Sequence, residues 1–166
     1  MRELLAREKV PSVISGLPVV IAIDVHWGEM DAFAHLNNVS YFRYFESGRI
    51  AYFEQMTRVT AREGDPVEHA AGAPAGVGPI LAKTSCRYRA PVFYPDTLYL
   101  GVGVSDVGRD RYTMRYELYS TKLAAVAASG EGLIVAFDYG AGKKAPSLPA
   151  RWREAIAKLE ASASAG

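Results

Sequence analysis

Three stretches of the chain alternate apolar and polar residues, and two others carry apolar residues at helical spacing. Ile80, Ala82, Thr84, Cys86 and Tyr88 share one face of an extended run, with Lys83, Ser85, Arg87 and Arg89 on the other. Leu98, Leu100, Val102 and Val104 alternate with Thr97, Tyr99, Gly101 and Gly103, and Tyr112, Met114, Tyr116 and Leu118 with Arg111, Thr113, Arg115 and Glu117. A period of two puts successive side chains on opposite faces of a sheet, so each run predicts a strand. Residues 18–27, dense in Val and Ile, predict another strand, as do residues 124–137. Gly130 and Gly132 mark a bulge or a close contact within the latter. Gly108, Arg109 and Asp110 form the tight connection between the strands at 97–104 and 111–118.

The helical pattern runs from about residue 39 to 56, where Tyr41, Phe42, Tyr44, Phe45, Ala51, Tyr52, Phe53 and Met56 cover most sides. Such a helix is predicted to be buried, with Arg43, Ser47, Arg49 and Glu54 as a narrow polar stripe. Gly48 in its middle costs about 1 kcal/mol of helix propensity, which points to close backbone packing. Pro149 opens a short amphipathic helix with Trp152, Ile156 and Leu159 on one side. Residues 62–76 mix Gly, Pro, Ala and acids without a period and read as a loop. The expected architecture is an α+β domain over residues 17–160, with an antiparallel sheet of about five strands around one long helix. Residues 1–16 are expected to be a loosely held extension and residues 161–166 a disordered tail.

Bulk properties narrow the function classes. At 166 residues, 49% hydrophobic and 22% charged, the chain can bury a core without disulfide or metal support. A net charge of +1 argues against a general nucleic-acid binder, so any anion recognition has to be local. Cys86 is the only cysteine, which fits a reducing, cytoplasmic compartment. Pro11, Gly16 and Pro18 break the apolar run at 10–23, which is read as the first strand and not as a secretion signal. No run reaches the roughly 18 uninterrupted apolar residues of a membrane span.

The chemistry-bearing side chains cluster before the long helix. Glu29, Asp31 and His35 sit in a polar loop, and Asn37 and Asn38 stand where a helix cap belongs. Taken alone, an Asp in such a turn makes local backbone bonds. Glu29 is read as closing the turn, and His35 either as polarising water or as holding the loop. Glu46 lies three residues from both Arg43 and Arg49, which predicts a helix-surface ion pair. The histidines and the cysteine show no metal-ligand spacing, so no metal is expected, and no nucleophile elbow is present. Tyr41, Phe45 and Phe33 are core aromatics or pocket lining. Arg109, Arg111, Lys143 and Lys144 fall in turns as surface cations.

Trp27-Gly28-Glu29-Met30-Asp31, His35-Leu36-Asn37-Asn38, Tyr41 and Phe45-Glu46 closely resemble the active-site segment of hotdog-fold thioesterases of the 4-hydroxybenzoyl-CoA thioesterase type. The likeness continues through Gly78-Pro79-Ile80 and Tyr88-Arg89-Ala90-Pro91-Val92 to Asp96-Thr97, and departs at Glu29, where the family usually has Asp. It implies a hotdog fold and hydrolysis of a fatty or aryl acyl-CoA. Asp31 is then the general base or nucleophile, with His35 beside it and the amides of Asn38 and Val39 as oxyanion donors. The acyl group is implied to meet Phe33, Tyr41, Phe45, Gly78 and Pro79, and the CoA phosphates Arg109, Arg111, Lys143 and Lys144. Coenzyme A belongs to the substrate, so no cofactor is implied, and the expected assembly is a homodimer or homotetramer. An acyl-carrier-protein thioesterase and a non-catalytic acyl-thioester binder are the alternatives.

Overall fold

The computed structural model describes residues 4–61 and 76–164. A curled antiparallel sheet holds β1 (Val19–Asp24), β2 (Val77–Tyr88), β3 (Thr97–Ser105), β4 (Arg111–Ser120) and β5 (Ala125–Asp138), in the order β1-β3-β4-β5-β2. A two-residue strand, β6 (Lys143–Lys144), pairs with the end of β5. One long helix, α1 (Asn38–Thr60), packs on the concave face, mainly over β1 and β3, and a shorter helix, α2 (Ala150–Ser164), lies beside it. This is the α+β hotdog arrangement expected from the alternation. The loop read at 62–76 falls outside the described residues, except for Gly76.

The burial of α1 follows a single stripe. Ser40, Tyr41, Tyr44, Phe45, Gly48, Ala51, Tyr52 and Met56 are buried, each three or four residues from the next pair, so they share the face turned to the sheet. Val39, Arg43, Glu46 and Ile50 form an exposed stripe, wider than the pattern predicts. Beneath the helix lie Leu98, Leu100, Tyr112, Met114, Tyr116 and Leu118, all essentially solvent-free. Each such side chain contributes about 1.5–3 kcal/mol relative to exposure. Gly48 is needed because a Cβ there would stand 2.7 Å from both Leu100 and Val102. Gly130 and Gly132 mark close contacts: a Cβ on Gly130 would collide with the Phe45 ring and lie 2.5 Å from the Ser85 carbonyl. Gly132 makes room for the Tyr116 hydroxyl.

Two features depart from the sequence pattern. In β2 the register slips between Leu81 and Lys83, so the period of two changes phase there. Leu81, Thr84, Cys86 and Tyr88 pair with Ile134, Gly132, Gly130 and Ala128 on the helix side, and Ile80 moves to the opposite face. From Leu4 on, the described part of the leading segment is not loosely held. Leu4 bridges Ile21, Leu5 donates its N–H to Val20, and the Arg7 guanidinium donates to the carbonyls of Ser15, Leu17 and Pro18. Ile14 and Leu17 are buried on the convex face against Val20, with Tyr99, Tyr119 and Val126 packed around them. At the other end, residues 161–164 continue α2 and are no disordered tail. Glu160 of that helix accepts from the Tyr52 hydroxyl at 2.7 Å and the Val104 N–H at 2.8 Å, tying α2 to both α1 and β3.

Candidate active site

The loop before α1 is a tight turn closed by a bridge between Met30 and Leu36. Inside it Asp31 N–H donates to the His35 carbonyl at 2.9 Å, and Ala34 N–H to the Asp31 carbonyl at 3.0 Å. Ala34 takes φ 61°, a left-handed conformation that costs a residue with a Cβ about 1 kcal/mol. The turn is anchored from both sides: buried Leu36 donates its N–H to Val92, and Asn37 N–H donates to Glu29. The chain then enters α1 through Asn37, whose Oδ1 accepts the Val39 N–H at 2.9 Å.

The Asp31 carboxylate is half-buried, with each oxygen in a different role. Oδ1 accepts the Phe33 N–H at 2.8 Å, and Oδ2 lies 3.3 Å from Nδ1 of His35. The local turn bonds expected of such an Asp are therefore present, together with a histidine at the other oxygen. Glu29 is fastened as a structural group: its Oε2 accepts the Tyr44 hydroxyl at 2.6 Å and the His26 N–H at 2.9 Å. Burial and that carboxylate push the Tyr44 hydroxyl far above its ordinary range.

The remaining site residues divide by location. Phe33 is 81% exposed and stands beside His35 with ring centroids 6.2 Å apart. Asn38 is exposed at the first turn of α1, whereas the Val39 amide is already engaged by Asn37, which removes it as an oxyanion donor here. Tyr41 and Phe45 are core, not pocket lining. Phe45 has no exposed surface and stacks on Tyr116 at 4.6 Å. Burial lifts the Tyr41 hydroxyl to about 12. Gly78 and Pro79 lie at the start of β2, ten residues from Tyr88, roughly 30 Å at the rise of a strand.

The four surface cations gather near that far end. Arg111 donates to Asp110 at 2.8 Å, and Lys144 pairs with the other oxygen of the same carboxylate. Both cations are engaged by a buried Asp. The Arg109 and Lys143 side chains stay exposed. Glu46 makes no ion pair with Arg43 or Arg49 among the described residues, contrary to their spacing. Sequence reasoning missed Tyr88, whose hydroxyl lies 3.4 Å from the Asn38 carbonyl and whose ring meets Tyr41 edge-on at 4.9 Å. The signal was its phase: the last residue of β2 on the helix side. No group of three or more His, Cys, Asp or Glu is placed to hold a metal among the described residues. No described helix is long and apolar enough to cross a membrane.

One sheet curled around a buried helix, with a carboxylate turn leading into that helix, defines a hotdog-fold protein. The thioesterase-like superfamily matches residues 25–156, and the chain belongs to it. It is a thioester hydrolase. A thioesterase from Thermus thermophilus, solved with coenzyme A and Zn, is 28% identical, with 88% of this chain and 96% of that one covered at a TM-score of 0.70. A thioesterase-superfamily structure from Jannaschia is 19% identical, with coverage of 96% and 94% and a TM-score of 0.74. The Bacillus subtilis protein YsmA is 29% identical over 94 residues, 57% of this chain and 56% of that protein.

Proposed function

We propose that the chain hydrolyses the thioester of a fatty or aryl acyl-CoA, with Asp31 as the residue that makes water or itself the nucleophile. The observation that carries this is the Asp31 carboxylate, held by the turn with Oδ2 facing His35 at 3.3 Å, in the loop that leads into α1. As general base, Asp31 takes a proton from water while the oxygen adds to the acyl carbon. As nucleophile, it forms a mixed anhydride that water then opens. In either route the C–S bond breaks, the sulfur leaves with the CoA, and the acid is released. His35 orients the carboxylate. The developing oxyanion rests on the Asn38 amide at the positive end of α1, since the Val39 amide is occupied.

The protomer leaves this site open on the β2 side, where Leu81 and Tyr88 are substantially exposed, so a second copy completes it in a homodimer. The CoA specificity draws support from the Thermus relative bound to coenzyme A. The decisive experiment is Asp31→Asn, which keeps the shape and removes the charge. Hydrolysis across an acyl-CoA panel falls by about 10²-fold or more while substrate binding persists. His35→Ala costs less. A variant Asp31→Asn as fast as wild type on its best substrate overturns the assignment and favours an acyl-thioester binding protein.

A further inference from the structure

Beside the Asp31 turn lies a cleft of about 350 Å³ lined by Gly28, Glu29, Met30, Asn37, Val39, Ser40 and Arg43. Its walls come from the loop on one side and from the first two turns of α1 on the other. Val39 and Arg43, four residues apart, stand on the exposed stripe of the helix, and Ser40, on its buried side, completes the lining. Met30 directly precedes Asp31, and Asn37 caps the helix that follows the Asp31 turn, so the cleft is lined by neighbours of the proposed reaction centre. The size is that of a small-molecule pocket.

The chemistry of the lining is uneven. Met30 and Val39 provide apolar wall, Asn37 and Ser40 polar groups, and Arg43 a guanidinium. Arg43 is exposed and makes no ion pair among the described residues, although Glu46 stands three residues further along the helix. The Glu29 carboxylate also borders the cleft, with Oε2 held by the Tyr44 hydroxyl and the His26 amide. That acid repels an anion, and the Arg43 guanidinium is the one positively charged group in the lining that attracts one. We propose that Arg43 is a specificity-determining residue that receives an anionic group of the substrate, either a carboxylate at the distal end of the acyl chain or a phosphate of CoA. This rests on the hydrolase reading above. A planar guanidinium binds such groups through paired, charge-assisted hydrogen bonds, which a lysine reproduces only in part.

Four thioesters separate the two sources: hexanoyl and adipoyl groups, each on CoA and on N-acetylcysteamine, which lacks phosphates. Circular dichroism establishes that Arg43→Ala and Arg43→Lys are folded. If the acyl carboxylate is the partner, Arg43→Ala raises KM about tenfold or more for both adipoyl esters relative to both hexanoyl esters, and Arg43→Lys recovers part of the loss. If a CoA phosphate is the partner, KM rises for both CoA esters and for neither N-acetylcysteamine ester. Equal KM values for wild type and Arg43→Ala on all four overturn the proposal. Should wild type hydrolyse none of the four, the hydrolase reading fails on these substrates, and Arg43 is then decided by calorimetry. Adipoyl-CoA and hexanoyl-CoA are titrated into Asp31→Asn with and without Arg43→Ala. A tenfold weaker Kd for either ester upholds the role of Arg43, and unchanged Kd values reject it.

Discussion

A carboxylate makes use of whatever partners its neighbours supply, and Asp31 and Asp110 illustrate two outcomes. Asp31 faces a histidine four residues away with one oxygen and accepts the Phe33 N–H with the other. Asp110, buried at the start of β4, is closed off by Arg111 and Lys144, which hold its carboxyl well below the usual carboxylate range. A group whose pKa falls on folding binds fewer protons when folded, so its stabilising effect is complete above the unfolded value near 4 and fades as pH drops towards the folded one. Thermal melts of Asp110→Asn between about pH 6 and 2 are therefore expected to show a shallower acid loss of Tm than wild type. Identical slopes would mean that the triad adds nothing to acid stability. The Asp31–His35 pair was legible in the sequence because it is local. The Asp110 triad was not, since Lys144 reaches it only through the pairing of β6 with β5, thirty-four residues along the chain.

At the level of elements, the alternation in β3 and β4 determined the inward face, because most of the apolar residues were flanked by polar ones or glycine. In β2 the neighbours Ile80, Leu81 and Ala82 are all apolar, so their phase was undetermined and the slip at Leu81 could not be seen. The first residues escaped for another reason: they form two short 3-10 turns, Arg7–Lys9 and Ser12–Ile14, too brief to show a period. Glycines provide a direct test of the helix–sheet fit. Gly130→Ala drives a methyl into both the Phe45 ring and the Ser85 backbone, and backbone yields less readily than a side-chain tip. It is expected to destabilise by about 1–3 kcal/mol, the scale of an overpacked core. Gly16→Ala, with nothing within 4 Å of the new methyl, is expected to change stability by less than about 0.5 kcal/mol. Chemical denaturation of the two variants checks both, and equal midpoints would contradict this packing account.

For the whole molecule, the described sheet has two borders of different character. The outer side of β2 pairs with no described strand and carries Ile80, Leu81 and Tyr88 at 37–47% exposure. Unpaired backbone and apolar side chains along twelve residues favour a matching strand from a second copy. Light scattering at micromolar concentration is expected to give at least twice the 18.0 kDa chain mass, and the mass of one chain would refute the dimer. The opposite border is already occupied, since Leu4 and Leu5 bond to Ile21 and Val20 of β1 before the chain crosses the convex face. A building block with sticky sides at both ends polymerises, whereas one with a single sticky side stops after one joining event. Leu4 and Leu5 thus act as a partial stopper for sheet growth: they blunt the β1 border, so joining through β2 is favoured over extension of a fibre from β1.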